Sequence, residues 1–553
     1  MNGAADTDLA IVGSGFGGSI LAMIARRLGF RVMLLERGRH PRFAIGESAS
    51  PLAGILIEQL SDRYGLPRLR PLSAFGTWQR TYPRVTCGLK RGFTYFKHEA
   101  GRPYRCAPGR ANQLLVAASP SDELSDTHWL RSEVDHFLVD EAAALGVEYL
   151  DSTALDRLDF GPDGSPLLTG TRESKPIRVR AKFVVDASGP RGFLSKALGI
   201  EDRGFDGYPA TQALFSHFVG VAKCVDMVEY ELAPSHPDTF APSHLRTLAP
   251  YPPDDAALHH IFDGGWMWVL RFGNGVTSAG VAVEDWLAAD LWIADGAGAW
   301  GRLLARYPSV AAQFADAQPI REFTWMPRLP YRAAVAAGER WAMLPSAAAF
   351  IDPLFSTGIP LTLLGIERLA RIFETRGLKP ALYDGAAIDG RRVHGRRAGV
   401  PTPATADGFD SYGDRTLADA DLTARFIAGS YAGFRQFGAF AAYSMFYFAA
   451  ASFSEMARRL SSPRAPRGFL CGDNPAFTSA LERLSPAVHT AADIERYEDD
   501  VAAAVADRNI AGLCDRGKHN WYPVELEDTI RGAAALGLTN DQVRQALNLE
   551  LAR

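Results

Sequence analysis

The chain has 553 residues, 47% of them apolar and 22% charged, with a formal net charge of −4. That length exceeds one ordinary core and points to two or three domains, and the slightly acidic balance argues against nucleic acid as the main partner. The five cysteines are odd in number and scattered, without a Cys-x-x-Cys spacing or a Cys/His cluster, so neither a metal site nor a disulfide framework is expected.

The chain opens with "DLAIV", "GSGFGG", "SILAMIARRLG" and "RVMLLERG", which read as strand, glycine turn, helix and strand. Gly13, Gly15 and Gly18 fit G-x-G-x-x-G at the strand-to-helix turn. Glycines there let the backbone turn tightly and approach a pyrophosphate, which the unpaired N–H groups and positive dipole end of the helix then hold. Glu36 ends the second strand, where a carboxylate can accept hydrogen bonds from an adenosine ribose. The motif alone does not separate NAD from FAD. No basic stretch followed by an apolar signal core precedes it, so a cytoplasmic location is expected.

"IGESASP" (45–51) follows closely, and residues 65–115, rich in Gly, Pro and Arg, read as loops and strands over the cofactor. "HWLRSEVDHFLVDEAAALG" has apolar residues at helical spacing and ends at Gly146. On it Arg131 either neutralises phosphate or is a solvated surface charge. "FVVDASGP" (183–190) is a strand ending in a small-residue turn. Residues 200–330 hold strand-like runs and turn signals, including "GGWMWVL", which puts Trp266 and Trp268 on one face of a strand. "RWAMLPSAAAF" returns to a buried strand, and "FIDPLFSTG" (350–358) is a loop feeding the helix "IPLTLLGIERLARIF". Segments this far apart returning to one ligand suit a long cofactor, and so favour FAD.

From about 371 the chain reads as helical, with irregular connections at 391–410 and 461–468. Residues 437–454, "FGAFAAYSMFYFAAASFS", carry no charge and are of borderline spanning length. Their Ala, Ser and Gly content and the flanking Arg435 and Glu455 favour a buried helix of a soluble protein instead. The aromatic stripe of Phe434, Phe437, Phe440, Tyr443, Phe446, Tyr447 and Phe448 either packs a helix core or lines a substrate pocket. The tail carries a Thr539…Gln542 capping box, which a surface helix explains.

Four of these segments together resemble the flavin-dependent halogenases, within the wider fold of the aromatic-hydroxylase-like flavin monooxygenases. "FIDPLFSTG" is similar to F-x-x-P-x-x-S-x-G at Phe350, Pro353, Ser356 and Gly358. "IGESASP" resembles the G-E-S/A loop and carries Glu47, "CGLKRGFTYF" resembles the segment of the catalytic lysine, here Lys90, and "GGWMWVL" resembles W-x-W-x-I-P. The resemblance covers roughly the first 370 residues. It implies an α/β protein with a Rossmann-like FAD-binding domain over 1–200 and 330–370, residues 65–115 covering the cofactor. It further implies an inserted β-sheet substrate domain over 201–329 and a helical C-terminal region over 371–553.

It also implies a chemistry. FADH2 and O2 give a flavin hydroperoxide, halide attacks it, and a hypohalous acid equivalent travels to Lys90, which delivers chloride or bromide as an electrophile to an electron-rich aromatic ring. Halide would sit at Ser356, Thr357 and Gly358, where backbone donors and the helix dipole favour an anion. Asp352 would bond to cofactor or backbone, and Trp266 and Trp268 would keep substrate away from the flavin. A buried lysine suits delivery because desolvation lowers the pKa of a compact ammonium. The local alternatives are a phosphate-contacting or surface Lys90 in a basic loop and tryptophans in ordinary strand packing. The resemblance brings a separate flavin reductase and an aromatic substrate, free or carrier-bound, as expected partners; nucleic acid and membrane are not.

Three departures bear on this. The tryptophan signature ends in Leu270 and Arg271 instead of Ile–Pro. Pro345 and Ser346 stand where relatives carry a Gly-Asp pair that bonds the ribityl chain, and Phe355 stands where the free-tryptophan halogenases carry glutamate. The last points to phenols, pyrroles or related rings. The rival expectations are a flavin-dependent hydroxylase of the same fold and a non-catalytic flavin-binding protein.

Overall fold

Strand Ala5–Val12 alternates little and is buried over its last four residues, the mark of a strand covered on both faces. In the computed structural model, which describes residues 5–224, 249–378, 408–486 and 491–551, it pairs in parallel with Lys175–Asp186 on one side and Val32–Leu35 on the other. Trp341–Met343 and Glu148–Leu150 extend this parallel core outward on either side. Thr153–Phe160 and Pro166–Arg172 add an antiparallel flap to Lys175–Asp186, making eight strands with the edge strand Ala337–Gly338. Val12, Leu35, Asp186 and Met343 therefore end on one edge of the sheet. The loops that follow them gather there, which is where an open α/β sheet binds its ligand.

Helix Phe16–Arg27 buries every residue from Phe16 to Ala25, because helices Arg131–Ala144 and Gly358–Arg376 pack against it above the sheet. Gly17 permits that approach: a Cβ there would lie 2.8 Å from Thr362 Cγ2.

The second sheet has nine strands, and its central strands run Thr211–Val219, Thr277–Glu284, Gly265–Arg271, Ala257–Phe262, Gly92–Lys97 and Gln113–Ala117. It draws on residues 92–117 as well as 211–284, and its last strand, Trp521–Tyr522, comes from near the chain's end. The C-terminal portion is mainly helical, led by Phe409–Gly433 and Phe437–Arg459. The latter helix covers residues 437–454. It packs against helices Phe409–Gly433, Ala491–Val505 and Pro51–Tyr64, and among the described residues no helix is long and apolar enough to cross a membrane.

Two local expectations change. His128 and Trp129 do not begin a helix: Asp126–Trp129 pairs antiparallel with Cys87–Lys90, and the helix starts at Arg131. Strand pairing overrides the helical spacing there. The run "RWAMLPSAAAF" is strand only to Met343, after which Pro345–Ala348 makes a helical turn, proline being favoured in a first turn. The irregular connection expected at 391–410 lies outside the described residues up to position 407. The tail capping box forms, with Thr539 N donating to Gln542 Oε1 at 2.8 Å and Gln542 N to Thr539 Oγ1 at 3.2 Å.

Candidate functional site: a dinucleotide cavity and a buried lysine

The three motif glycines have different duties. Gly13 has φ +102°, and a Cβ on it would lie 2.5 Å from the Ala187 carbonyl. A Cβ on Gly18 would lie 2.0 Å from the Gly13 carbonyl. Both are needed by the fold itself. Gly15, at φ −64°, would meet no backbone but only side-chain ends, the Arg131 guanidinium at 3.3 Å, Asp135 Oδ2 at 3.6 Å and the Arg42 guanidinium at 3.9 Å. What its missing side chain leaves open is the N-terminus of helix Phe16–Arg27, facing a cavity of about 1010 Å³.

Glu36 lies on this cavity with its carboxylate held from several sides. Oε2 accepts from Ser14 N at 3.0 Å, Ser14 Oγ at 2.9 Å and Arg42 at 3.0 Å, and Oε1 accepts from Gly38 N at 2.9 Å. Burial opposes ionisation, but Arg42 and these donors prevail and hold its pKa below the usual range. Arg131 is buried, not a solvated charge. It pairs bidentately with Asp135 at 2.9 Å and donates to the carbonyls of Ile45 and Gly46, pinning the Gly-Glu-Ser loop to the helix bearing Arg131. Asp135 in turn accepts from Phe16 N at 3.1 Å. Glu47 Oε1 is 2.7 Å from His217 Nε2, while its Oε2 is buried without a hydrogen-bond partner among the described residues.

The cavity continues past Ser188 and Ser346 to the loop at 350–358. Asp352 organises that loop. Its Oδ1 accepts from Leu354 N at 3.0 Å, and Oδ2 accepts from Tyr431 Oη at 2.8 Å and Trp266 Nε1 at 3.4 Å. Burial pushes its carboxyl up to about 6, against those donors. Ser356 takes φ +56°, unusual for a side-chain-bearing residue, and closes a turn through its amide to the Pro353 carbonyl at 2.9 Å. Helix Gly358–Arg376 begins directly after, and among the described residues the amides of Thr357 and Gly358 donate to no protein acceptor. Trp266 and Trp268 form a wall of the same cavity, their rings 5.7 Å apart.

Lys90 is not on that wall. It is fully buried, its Nζ 4.1 Å from the centroid of the Phe93 ring and donating to the Ala49 carbonyl. One residue earlier, Ser48 Oγ bonds Ser356 Oγ at 3.0 Å. The lysine and the 350–358 loop thus grip adjacent residues of one segment. Asp126 sits opposite Lys90 in the strand pair, and Glu455, from helix Phe437–Arg459, accepts from Leu52 N at 3.3 Å. Burial pushes the Lys90 pKa down and those of Asp126 and Glu455 up. Aromatic rings seal the lysine: Phe355 stacks on Tyr447 at 4.3 Å, and Tyr447 donates to the Phe355 carbonyl at 2.8 Å. Much of the stripe at 434–448 therefore packs a buried core, part of it against Phe93 and Tyr95 beside Lys90.

Sequence reading placed Gly13, Gly15, Glu36, Glu47, Arg131, Asp352 and the Ser356–Gly358 turn around one cavity, and the structure brings them together. It missed His217, Tyr431, Asp126 and the inward role of Glu455. Only Glu455 had a signal, as the charge ending an apolar run.

The donor set fits FAD. The open helix N-terminus suits a pyrophosphate, the unpartnered Glu47 oxygen awaits a donor, and the cavity is long enough to lead from Glu36 to Trp266. The family model for an NAD(P)-binding Rossmann-like domain matches residues 11–54. Tetracycline 7-halogenase of Kitasatospora aureofaciens is 32% identical over 364 residues, 64% of this chain and 61% of its own length. Monodechloroaminopyrrolnitrin halogenase PrnC of Pseudomonas fluorescens is 30% identical over 368 residues, 66% and 60%. The chain thus spans about three fifths of the length of these two relatives. A pyrrole-2-carbonyl carrier-protein brominase of Pseudoalteromonas luteoviolacea is 24% identical over 64% of this chain and 73% of its own. Among solved structures, halogenase PltM in complex with phloroglucinol and FAD superposes with a TM-score of 0.74 at 23% identity, covering 93% of this chain and 99% of that one. That likeness shows a shared fold. The resemblance to flavin-dependent halogenases is borne out on both counts, as is the mixed α/β fold with its Rossmann-like domain and helical C-terminal region.

Proposed function

We propose that this protein is an FAD-dependent halogenase that places chloride or bromide on an electron-rich aromatic ring. The observation that carries the reading is the shared grip: the anion-suited turn at Ser356–Gly358 and the buried Lys90 hold the adjacent residues Ser48 and Ala49. When bound and reduced by a partner flavin reductase, FAD supplies the activation of O2 that makes a halide electrophilic. The turn glycines and the Phe16 helix end would hold the pyrophosphate, Glu36 would take the ribose, and Glu47 Oε2 would accept a hydrogen bond from the bound cofactor.

The amides of Thr357 and Gly358 hold the halide, where the dipole of the long helix behind them favours an anion. Trp266 and Trp268 line the cofactor cavity, whereas Lys90 is packed outside that lining. In this reading their large rigid rings keep an aromatic substrate away from the cofactor. The Lys90 ammonium binds hypohalous acid by hydrogen bond, polarises it and fixes its halogen toward the substrate ring. Phe355 in place of a carboxylate, and the aromatic lining of Tyr447 and Phe448, suit a phenol or pyrrole. Such a substrate, free or on a carrier protein, enters by displacing part of that packing.

One observation favours a hydroxylase instead: Leu270 and Arg271 end the tryptophan strand, and Arg271 is tied to Asp254 at 3.0 Å. The test is to mix protein, FAD, a flavin reductase, NADH, O2 and bromide with phenols, pyrroles and indoles, and to look for the bromine isotope doublet. A doublet that requires the protein supports halogenation. Oxygenated products without halide dependence would support the hydroxylase and overturn the proposal.

A further inference from the structure

Helix Phe437–Arg459 belongs to the C-terminal portion, yet its Glu455 reaches the peptide next to the lysine. Glu455 Oε1 accepts from Leu52 N at the start of helix Pro51–Tyr64, and Lys90 Nζ donates to Ala49 O three residues before it. Asp126 faces Lys90 across the strand pair Cys87–Lys90 and Asp126–Trp129, and its Oδ2 is buried without a hydrogen-bond partner among the described residues. The buried Lys90 thus faces one carboxyl across the strand pair and shares the segment at 49–52 with a second, the two coming from positions 329 residues apart (455 − 126). No salt bridge within 4 Å joins Lys90 to either one, so neither carboxylate simply neutralises the ammonium by contact.

Resting on the reading of Lys90 as the residue that delivers halogen, we infer that Glu455, with Asp126, is a positioning residue that sets the location and the protonation of Lys90. The helical C-terminal portion then completes the site of chemistry as well as covering it.

The proton inventory follows from the groups that face the lysine. From strand Asp126–Trp129, paired with the one bearing it, comes Asp126, with His128 two residues on; from strand Ala257–Phe262 comes His259; from the covering helix come Tyr447, Glu455 and Arg459. Burial pushes both histidines down to about 3 and the tyrosine well above its usual value, so all three stay neutral between pH 5 and 9. The protons that move in that window belong to Lys90, Asp126 and Glu455. Burial penalises each charge alone, while the lysine and the carboxylates stabilise one another's charged forms. Glu455, pushed up to about 8 by burial, carries its charge in the upper part of that window, and there it is one of two groups that keep Lys90 protonated and hence able to donate a hydrogen bond.

The experiment compares wild type, Glu455→Gln, Glu455→Asp and Lys90→Ala, each with FAD, reductase, NADH and bromide, on phloroglucinol between pH 6 and 9.5. Brominated product and oxygen consumption are followed separately. The glutamine keeps an acceptor for Leu52 N but loses the charge. The expected result is an alkaline limb of bromination that moves to lower pH by about one unit in Glu455→Gln, with oxygen consumption and the KM for phloroglucinol unchanged. Glu455→Asp should return the limb toward the wild-type position. A merely structural role would lower activity equally at every pH. If Glu455→Gln folds poorly, Asp126→Asn should move the same limb in the same direction.

Lys90→Ala abolishing bromination, with Glu455→Gln and Asp126→Asn both keeping the wild-type limb, overturns this inference alone. Bromination by Lys90→Ala at the wild-type rate, or none by wild type, overturns the reading of Lys90 and the inference with it.

Discussion

The two glycines Gly15 and Gly18 belong to one motif, but alanine at each should fail in a different assay. At Gly18 the new Cβ lies 2.0 Å from the Gly13 carbonyl oxygen, a backbone atom. Restoring even a 3.0 Å contact requires the helix start and the turn to part by about 1 Å in an otherwise close-packed layer. That is overpacking, with a cost of about 2–3 kcal/mol. At Gly15 the nearest atom is the end of the Arg131 side chain, 3.3 Å away, and φ is −64°, which alanine adopts freely. Its cost to the fold is within about 1 kcal/mol, chiefly because alanine is a poor helix N-cap. The methyl group does, however, occupy the approach to the helix N-terminus. Thermal unfolding without cofactor should show Gly18→Ala melting several degrees lower and Gly15→Ala close to wild type. Titration of FAD fluorescence should show Gly15→Ala binding at least about tenfold more weakly, a loss of about 1.4 kcal/mol. A Gly15→Ala protein that binds FAD as wild type does, or that unfolds as readily as Gly18→Ala, would refute the division of labour drawn from the geometry.

Lys90→Ala should leave oxygen consumption by the reductase-coupled system intact while abolishing halogenated product by mass spectrometry; equal product would remove the lysine from the chemistry. Trp266→Phe loses the indole donor to Asp352, at 3.4 Å, and part of the wall; a hydroxylated by-product absent from wild type is the expected sign, read by the same analysis. Asp352 has a pKa raised from 3.8 to about 6 by burial. Its contribution to stability is therefore full below pH 3.8 and lost as pH rises through 6. Asp352→Asn should gain on wild type between pH 4 and 7, by at most about 3 kcal/mol, seen as a melting difference that grows across that range. A difference independent of pH would contradict the raised carboxyl.

The parts of this molecule that could be read from its sequence are those whose cause is local. Gly13 and Gly18 stand where a turn and a helix start need them, and Pro353 to Gly358 announce a loop entering a helix. The capping box at Thr539 is equally local. Asp126 was hidden because it lies just ahead of the run with helical spacing and outside every motif, and only pairing with Cys87–Lys90 turns it to face the lysine. Tyr431 and Glu455 were hidden because nothing near them in sequence hints that they meet Asp352 and Leu52, 79 and 403 positions away. His217 escaped for the same reason: alternation marks it as strand, and its partner Glu47 is 170 residues earlier.

The short strand Trp521–Tyr522 lies along Gln113–Ala117 and finishes the edge of the second sheet. Trp521 Nε1 also donates to Gln113 Oε1 at 3.2 Å, and the Arg110 guanidinium lies 3.6 Å from its ring centroid. The helical portion is therefore not a detachable module. A shortened chain ending at Arg376 would bare a strand edge at Leu115 as well as the aromatic faces of Phe93 and Tyr95, inviting edge-to-edge aggregation. Anyone building chimaeras to change the aromatic that is accepted would have to move the 521–522 edge together with the helix that carries Tyr447 and Glu455. Evolution faces the same bookkeeping: a new lining over the lysine arrives either by point substitution in place or as a whole strap anchored at both ends.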